Sequence, residues 1–164
     1  MPPRTRHQPQ LAQLITAARM FLGEAEVAYQ KSPRPLTSRL RSAKQVFEFV
    51  QQYRPTIGAE QREVFLALAL NSKHAVTRVE QIAVGTLASV DVHPREVFRP
   101  LLLHAAAAAF LVHNHPSGDP EPSTDDLALT ARLREAGQLV GIPILDHLVL
   151  GGDGYVSLAD RGLM

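Results

Sequence analysis

The stretch at residues 113–126 combines two histidines with an acidic helix start, and it constrains the chain more than any other segment. It follows a strongly apolar run, Ala105 to Val112. A buried strand is predicted over Ala106 to His113, and its boundary with the preceding helix is left open, because the pattern inside the alanines fits helix and strand equally. His113 and His115 are separated by one residue, so their side chains point to the same face of a strand. Asp126 stands in the first turn of the helix that follows. Two imidazoles and a carboxylate are therefore placed where they can converge on one metal ion.

The composition limits which kind of metal site is possible. The chain contains no cysteine, which excludes a disulfide, a thiolate zinc site and the His-x-Glu plus cysteine pattern of the zinc deaminases. Its 164 residues suffice for one domain with a core of its own. The longest apolar runs are about ten residues, too short to cross a bilayer. We therefore expect a cytoplasmic protein without a membrane segment, whose metal ligands are histidines and carboxylates.

The charge is divided unevenly along the chain. Residues 1–62 contain ten Lys/Arg and four Asp/Glu, a net charge of +6, whereas residues 63–164 contain seven and twelve, a net charge of −5. Residues 1–35 are predicted to form a basic N-terminal arm with one amphipathic helix, Leu11 to Tyr29, because apolar residues recur there at helical spacing. Such an arm suits a weak nucleic-acid contact or a homodimer, and a solvated arm without a partner is the plain alternative.

Residues 36–164 read as a mixture of helices and apolar strands. Ser42 to Gln45 fits a capping box, and the helix it opens is expected to end before Pro55. Glu63 to Leu70 predicts a buried central strand, and Ala75 to Ile82 the returning strand of a hairpin. A further short strand is expected over Leu87 to Val92.

The second half of this region is predicted to hold two more helices. Pro94 suits the first turn of a helix that runs to Ala105, but Pro100 lies inside it and predicts a kink or a late start. Ser123 is expected to cap a helix that ends before Gly137. The final strands are predicted over the ranges Ile142 to Leu150 and Tyr155 to Leu158.

The chemistry of a hydrolytic zinc site explains why these residue types matter. Such a site uses three protein ligands and leaves one position for a water molecule, whose pKa then falls to near 7. A separate carboxylate must accept the proton of that water, and Glu63 is a candidate if its strand neighbours the one that carries His113. Ser123 is a candidate donor to a developing oxyanion. Each residue also has a purely structural reading, since Ser123 and Asp126 match a capping box and Glu63 is a charge at a strand end.

The pattern His113-x-His115, seven residues, Ser123, two residues, Asp126 resembles the JAMM motif of the JAB/MPN metalloproteases in residue types and spacing. Over roughly residues 36–164 the chain resembles the bacterial RadC proteins more closely. The stretches that carry this resemblance are Arg62–Phe65, Gly85–Thr86, Val92–Glu96, His113–Pro120, Leu145–His147 and Tyr155–Leu158.

The resemblance implies an α/β (α+β) domain with a JAB/MPN-type mixed β-sheet flanked by helices, similar to cytidine-deaminase-like architecture. It implies zinc on His113, His115 and Asp126, with Ser123 as the motif serine and Glu63 as a looser match to the motif glutamate. Characterised JAMM enzymes cut peptide or isopeptide bonds, so a peptide or protein substrate is expected.

Two departures from the RadC pattern leave alternatives open. RadC proteins usually carry an N-terminal helix-hairpin-helix region, and this chain resembles a short form that lacks it. Ala105 stands where relatives usually have asparagine, just after His104.

Two functions are alternatives to a hydrolase: a nucleic-acid-associated repair accessory or nuclease, and a non-catalytic MPN scaffold. His104, Asp146 and His147 are either structural residues or partners that orient a ligand, and strand alternation lets only one of Asp146 and His147 face the metal region.

Overall fold

A computed structural model describes residues 38–52, 62–85 and 92–164 of the chain. They form three helices and five strands. The helices are α1 (Ala43–Gln51), α2 (Pro94–Leu103) and α3 (Thr124–Val140), and the strands are β1 (Val64–Leu70), β2 (Val76–Val84), β3 (Ala108–Asn114), β4 (Ile144–Gly151) and β5 (Gly154–Ser157). The predicted arm at residues 1–35 and the predicted strand over residues 87–92 lie outside the described residues, apart from Val92. No helix within the described ranges is both long and apolar enough to span a membrane.

The five strands form one mixed sheet in the order β2-β1-β3-β4-β5. Neighbouring strands are antiparallel except for β3 and β4, which are parallel and are joined through α3. All seven residues of β1 and all seven of β3 are buried, as expected for central strands that are covered on both faces. The predicted class, a mixed sheet flanked by helices, is confirmed.

The two faces of the sheet have separate apolar cores. Helix α1 packs on one face, where Val46 and Val50 join Leu66, Leu68 and Phe110. Helices α2 and α3 pack on the other face, and its core consists mainly of Phe65, Ala67, Val97, Phe98, Leu101, Leu111 and Leu133. Burial of each large apolar side chain contributes about 1.5–3 kcal/mol relative to exposure, so both layers are held firmly against the sheet.

Helix α2 begins where Pro94 predicted and ends earlier than predicted. Its N-cap is His93 and Pro100 lies inside it, so of the two effects expected from Pro100, a kink or a late start, the late start does not occur. It ends at Leu103, and Ala105 adopts a φ of 48° beyond the end. Proline is tolerated in the helix because Val97, Phe98 and Leu101 anchor the flanking turns in the core.

Helix α3 is longer than predicted. Gly137 lies within it, and the left-handed C-cap is Gly141, with a φ of 75°. The prediction that Gly137 follows the helix is therefore wrong. A Cβ on Gly137 would lie 2.6 Å from the carbonyl oxygen of Ile142 and 3.3 Å from the Phe98 ring, so glycine is needed there for close packing.

Candidate metal centre

Three side chains converge where β3 ends and α3 begins. The Nε2 atoms of His113 and His115 lie 3.0 Å apart. The carboxylate of Asp126 lies 3.2 Å from His113 Nε2 through Oδ1 and 3.4 Å from His115 Nε2 through Oδ2. Among the residues that the structure describes, this is the one cluster of histidine and acidic side chains with metal-binding spacing.

The start of α3 orients the Asp126 carboxylate. Ser123 is the N-cap, and its Oγ accepts a hydrogen bond from the Asp126 N–H at 3.1 Å. The Oδ2 atom of Asp126 accepts from the Ser123 N–H at 2.7 Å and from the Ser123 hydroxyl at 2.6 Å. The capping box and the acidic ligand are thus one structure, because the same bonds that begin the helix fix the rotamer of the carboxylate.

The loop before α3 holds His115 through a backbone carbonyl. His115 Nδ1 lies 2.8 Å from Asp119 O, and a carbonyl can only accept, so the proton of the neutral imidazole lies on Nδ1. Gly151 supports this loop from β4. A Cβ on Gly151 would lie 2.4 Å from Pro120 N and 2.7 Å from Gly118 O, so the loop and strand can be this close only with glycine there.

Two buried residues, His147 and Thr130, fix the side of His113 that faces away from Asp126. Its Nδ1 lies 2.8 Å from Nε2 of His147, whose own Nδ1 lies 2.6 Å from Thr130 Oγ1. Thr130 Oγ1 is also bonded to the backbone oxygen of Asp126 at 2.6 Å. The ring of Phe65 stacks on His113 with an interplanar angle of 7° and meets His147 edge-on. The rings of His113 and His147 are therefore fixed in orientation, and the Nδ1 atom of each is hydrogen-bonded.

Glu63 precedes β1, whose Phe65 pairs with His113 in the neighbouring antiparallel strand. The pKa of Glu63 is raised by burial and by the negative charge of Asp126, against the opposing effect of the two histidines. The backbone on both sides of Glu63 is bonded to one side chain, that of Asn114. Asn114 Oδ1 accepts from Val64 N–H at 2.8 Å, and its Nδ2 donates to Arg62 O at 3.1 Å. The carboxylate therefore has a fixed attachment beside the cluster.

The electrostatics of the cluster fit a cation. Burial alone would raise the pKa of Asp126, but the hydrogen bonds that His113 and His115 donate when their imidazoles are protonated hold it well below its usual range. The pKa of His115 is raised, first because its imidazole bonds to Asp126. The acceptor atoms face one another at 3.0–3.4 Å. A tetrahedral ion at about 2.0–2.1 Å from each ligand needs ligand separations of about 3.3 Å, so the donor set fits a metal.

The structure brings together the five residues that the sequence singled out. His113, His115 and Asp126 form the cluster, Ser123 contacts Asp126, and Glu63 lies within their electrostatic influence. Asp146 and His147, whose roles the sequence left open, lie on opposite faces of β4 because side chains alternate along a strand. His147 faces the cluster, whereas Asp146 accepts hydrogen bonds from Ser157 and from the backbone of Ala159 and His147. His104 lies elsewhere and pairs with Glu80 at 3.1 Å.

Two residues of the site escaped the sequence analysis, namely Asn114 and Thr130. Asn114 is 8% exposed within a strand of buried apolar residues, and a polar side chain there must find a partner. That requirement was a readable signal in the contiguous His113-Asn114-His115 string. Thr130 lies one turn after Asp126 in a regular helix, and nothing in its spacing marks it out.

A family model described as the RadC-like JAB domain matches residues 40–163. The chain belongs to the RadC-like JAB domain family. The expected resemblance is thereby confirmed, and the candidate metal-binding cluster lies wholly inside the matched region. The mixed sheet with three helices is consistent with a JAB domain.

Curated relatives carry the name UPF0758 protein. The one from Syntrophotalea carbinolica is 54% identical over 103 residues, which cover 63% of this chain and 45% of that protein. The one from Desulforudis audaxviator is 55% identical over 102 residues, covering 62% and 44%. The one from Methanosarcina acetivorans is 44% identical over 110 residues, covering 67% and 48%. The chain thus spans about half the length of the curated relatives it matches.

Proposed function

We propose that this RadC-like JAB domain is a zinc-dependent hydrolase of the JAMM type that cleaves a peptide or isopeptide bond. The observation that carries the proposal is the convergence of His113, His115 and Asp126 at separations of 3.0–3.4 Å, next to a carboxylate whose pKa is raised. A structural role alone would not require two buried or half-buried imidazoles to turn their Nε2 atoms toward one another.

The donor set supports zinc among the common metal ions. Two imidazoles and one carboxylate with a free fourth position are typical of catalytic zinc, whereas calcium and magnesium prefer sites made of oxygen atoms. When bound there, zinc would supply a Lewis acid that lowers the pKa of a water molecule and polarises a carbonyl oxygen.

The protein residues have separate roles in this proposal. Glu63 accepts a proton from the attacking water and returns it to the leaving amine, and a raised pKa suits a carboxylate to both steps. Asp126 balances the positive charge of the site, and Ser123 orients its carboxylate through a 2.6 Å hydrogen bond. We also propose that Ser123 donates to the substrate oxyanion, for which its hydroxyl must turn away from Asp126.

The partners belong to the same proposal. A peptide or protein substrate follows from the bond class. A weak nucleic-acid contact through residues 1–35, and a homodimer, rest on charge and helical spacing in a part of the chain outside the described residues. A salt-dependent affinity of the full chain for DNA would support the first of these.

The experiment is a substrate screen on purified protein with its metal content measured in parallel. Peptides, isopeptide-linked peptides and single- and double-stranded DNA are incubated with wild type, Glu63→Gln and Asp126→Asn. We expect about one zinc per chain in wild type and in Glu63→Gln, and little in Asp126→Asn. Only wild type should cleave peptide or isopeptide bonds.

Glu48→Gln provides a matched control, because Glu48 is an exposed residue of α1 that pairs with Lys44. It should behave as wild type in every assay. Wild type without bound zinc, or Glu63→Gln with wild-type activity, would contradict the mechanism. Cleavage of DNA but not of peptides, lost in Glu63→Gln, would replace the peptide bond by a phosphodiester and refute the proposed substrate class.

A further inference from the structure

A buried relay of two side chains lies behind the metal cluster, outside the residues of the JAMM pattern. His147 on β4 is fully buried, as is Thr130 on α3. His147 uses both ring nitrogens, with Nε2 2.8 Å from His113 Nδ1 and Nδ1 2.6 Å from Thr130 Oγ1. Since β3 and β4 are parallel and His147 pairs with Leu111, the ring of His147 lies beside the end of β3 that carries His113.

The direction of every proton in the relay follows from one carbonyl group. Thr130 Oγ1 lies 2.6 Å from the backbone oxygen of Asp126. A carbonyl oxygen only accepts, so the single hydroxyl proton of Thr130 is donated to it. The opposite arrangement would set two oxygen lone pairs against each other at hydrogen-bond distance in a buried site, which is unfavourable. Thr130 therefore accepts from His147, and the proton of His147 lies on Nδ1.

The remaining step reaches the metal ligand. With its proton on Nδ1, His147 has a lone pair on Nε2, which accepts a hydrogen bond from Nδ1–H of His113. The Nε2 atom of His113 is then free of hydrogen, and it is this atom that faces His115 and Asp126. In the opposite tautomer, His113 Nε2 would carry a hydrogen and could not bind a metal ion.

We propose that Thr130 and His147 are positioning residues that fix the neutral tautomer of His113 with its proton on Nδ1, which prepares His113 as a metal ligand. The relay also joins two ligands, because it begins at the side chain of His113 and ends at the backbone of Asp126. His115 reaches the same tautomer by a different route, through the carbonyl of Asp119.

This inference rests on the proposed function only in treating the cluster as a metal site, and the tautomer itself is testable without metal. The first measurement is long-range ¹H–¹⁵N NMR of the histidine rings in full-length, metal-free protein at alkaline pH. We expect the proton of His113 and that of His147 on Nδ1 in wild type. A proton on Nε2 of His113 in wild type would overturn the inference whatever the protein catalyses.

The second measurement is zinc affinity, determined by competition with a chelator. Thr130→Val removes the hydroxyl at nearly constant volume and should weaken zinc binding about 10–100-fold, the range typical for loss of a residue that orients a ligand histidine. Thr130→Ser keeps the hydroxyl and should restore affinity to within about threefold of wild type. Thr77→Val is the matched control, since Thr77 also donates to a backbone carbonyl, that of Ala69, in a strand away from the site.

The outcomes separate the two proposals. Equal zinc affinity in Thr130→Val and wild type would refute the relay, even if hydrolysis is demonstrated. Zinc binding without any hydrolysis would refute the proposed function and leave the relay supported by the affinities of the threonine variants. If Thr130→Val does not fold, the wild-type NMR measurement and the Thr130→Ser affinity decide the question.

Discussion

The side-chain amide of Asn114 bonds to the backbone on both sides of Glu63. Its oxygen accepts from the N–H of the residue after Glu63, and its nitrogen donates to the carbonyl of the residue before it. Asn114 is the last residue of β3 and lies between His113 and His115 in the chain. One buried side chain therefore sets the position of the proposed base relative to the proposed metal ligands.

Replacing Asn114 should separate activity from metal binding. Asn114→Ala leaves a buried N–H and a carbonyl without their partner, which costs about 1–3 kcal/mol of unfolding free energy per unsatisfied group. We expect kcat to fall by more than zinc affinity, because the ligands keep their own contacts while Glu63 loses its attachment. Urea denaturation, zinc titration and kinetics measure the three effects.

Asn71→Ala is the control for Asn114, since the Asn71 side chain also caps backbone N–H groups, in the turn between β1 and β2. It should lower stability without changing kcat. Equal losses of kcat in both variants would show that the bond between Asn114 and the Glu63 segment has no special role.

The pH dependence of stability should reveal the free-energy cost of burying the ionised carboxylate of Glu63. Its pKa is raised in the folded protein by burial, so folding favours the protonated carboxyl. Stability contributed by this group is present below the ordinary value of 4.5 and is lost as pH rises through the folded pKa. Glu63→Gln should therefore raise the Tm of the metal-free protein at neutral pH, and the gain should disappear in acid. A neutral-pH Tm below that of wild type would contradict the burial argument.

Gly151→Ala should disrupt the metal site from the neighbouring strand. Its Cβ would meet backbone atoms of residues 118–120 at 2.4–2.7 Å, and the carbonyl of Asp119 orients His115. We expect a loss of about 1–3 kcal/mol of stability, as in other overpacked sites, together with weaker zinc binding. Gly154→Ala in the same hairpin meets no atom closer than 3.9 Å and should retain both properties. Wild-type zinc affinity in Gly151→Ala would mean that the loop can move without affecting His115.

Ala105→Asn should stabilise the protein. Ala105 has a φ of 48°, a left-handed conformation that costs most residues about 1–2 kcal/mol and that asparagine tolerates well. Asparagine is also the residue that RadC proteins usually have at this position. Ala105→Gly relieves the same strain but adds about 0.4–1 kcal/mol of unfolded-state entropy, so it should gain less. Thermal denaturation would rank the three proteins, and a lower Tm for Ala105→Asn would contradict this account.

The parts of the site that the sequence predicted are those encoded over a few residues. The i, i+2 spacing of His113 and His115 and the capping box of Ser123 and Asp126 depend on local geometry alone, and the structure has both. The continuous apolar runs also predicted the buried strands β1 and β3, although the alanines left the start of β3 open. Local periodicity was sufficient for these elements.

The errors and omissions concern contacts between distant segments. Gly137 looks like a helix end in sequence, but it is required by its contact with Ile142 and Phe98, and the true cap is Gly141. The relay from Thr130 to His147 depends on how α3 lies on β4, which no spacing reveals. Pro100 predicted a kink or a late start of α2, but the helix begins at Pro94 and its apolar residues on both sides of Pro100 are buried in the core.

The parallel pairing of β3 with β4 places all three proposed ligands, and the relay behind them, in one continuous βαβ unit, whereas Glu63 immediately precedes β1. Under the proposed mechanism, ion binding and catalysis therefore depend on separate segments of the fold. We therefore expect a relative that lacks Glu63 to keep this fold and its cation, so under the proposed mechanism one substitution would turn such a hydrolase into an inert metal-carrying scaffold, and one reversion would restore it.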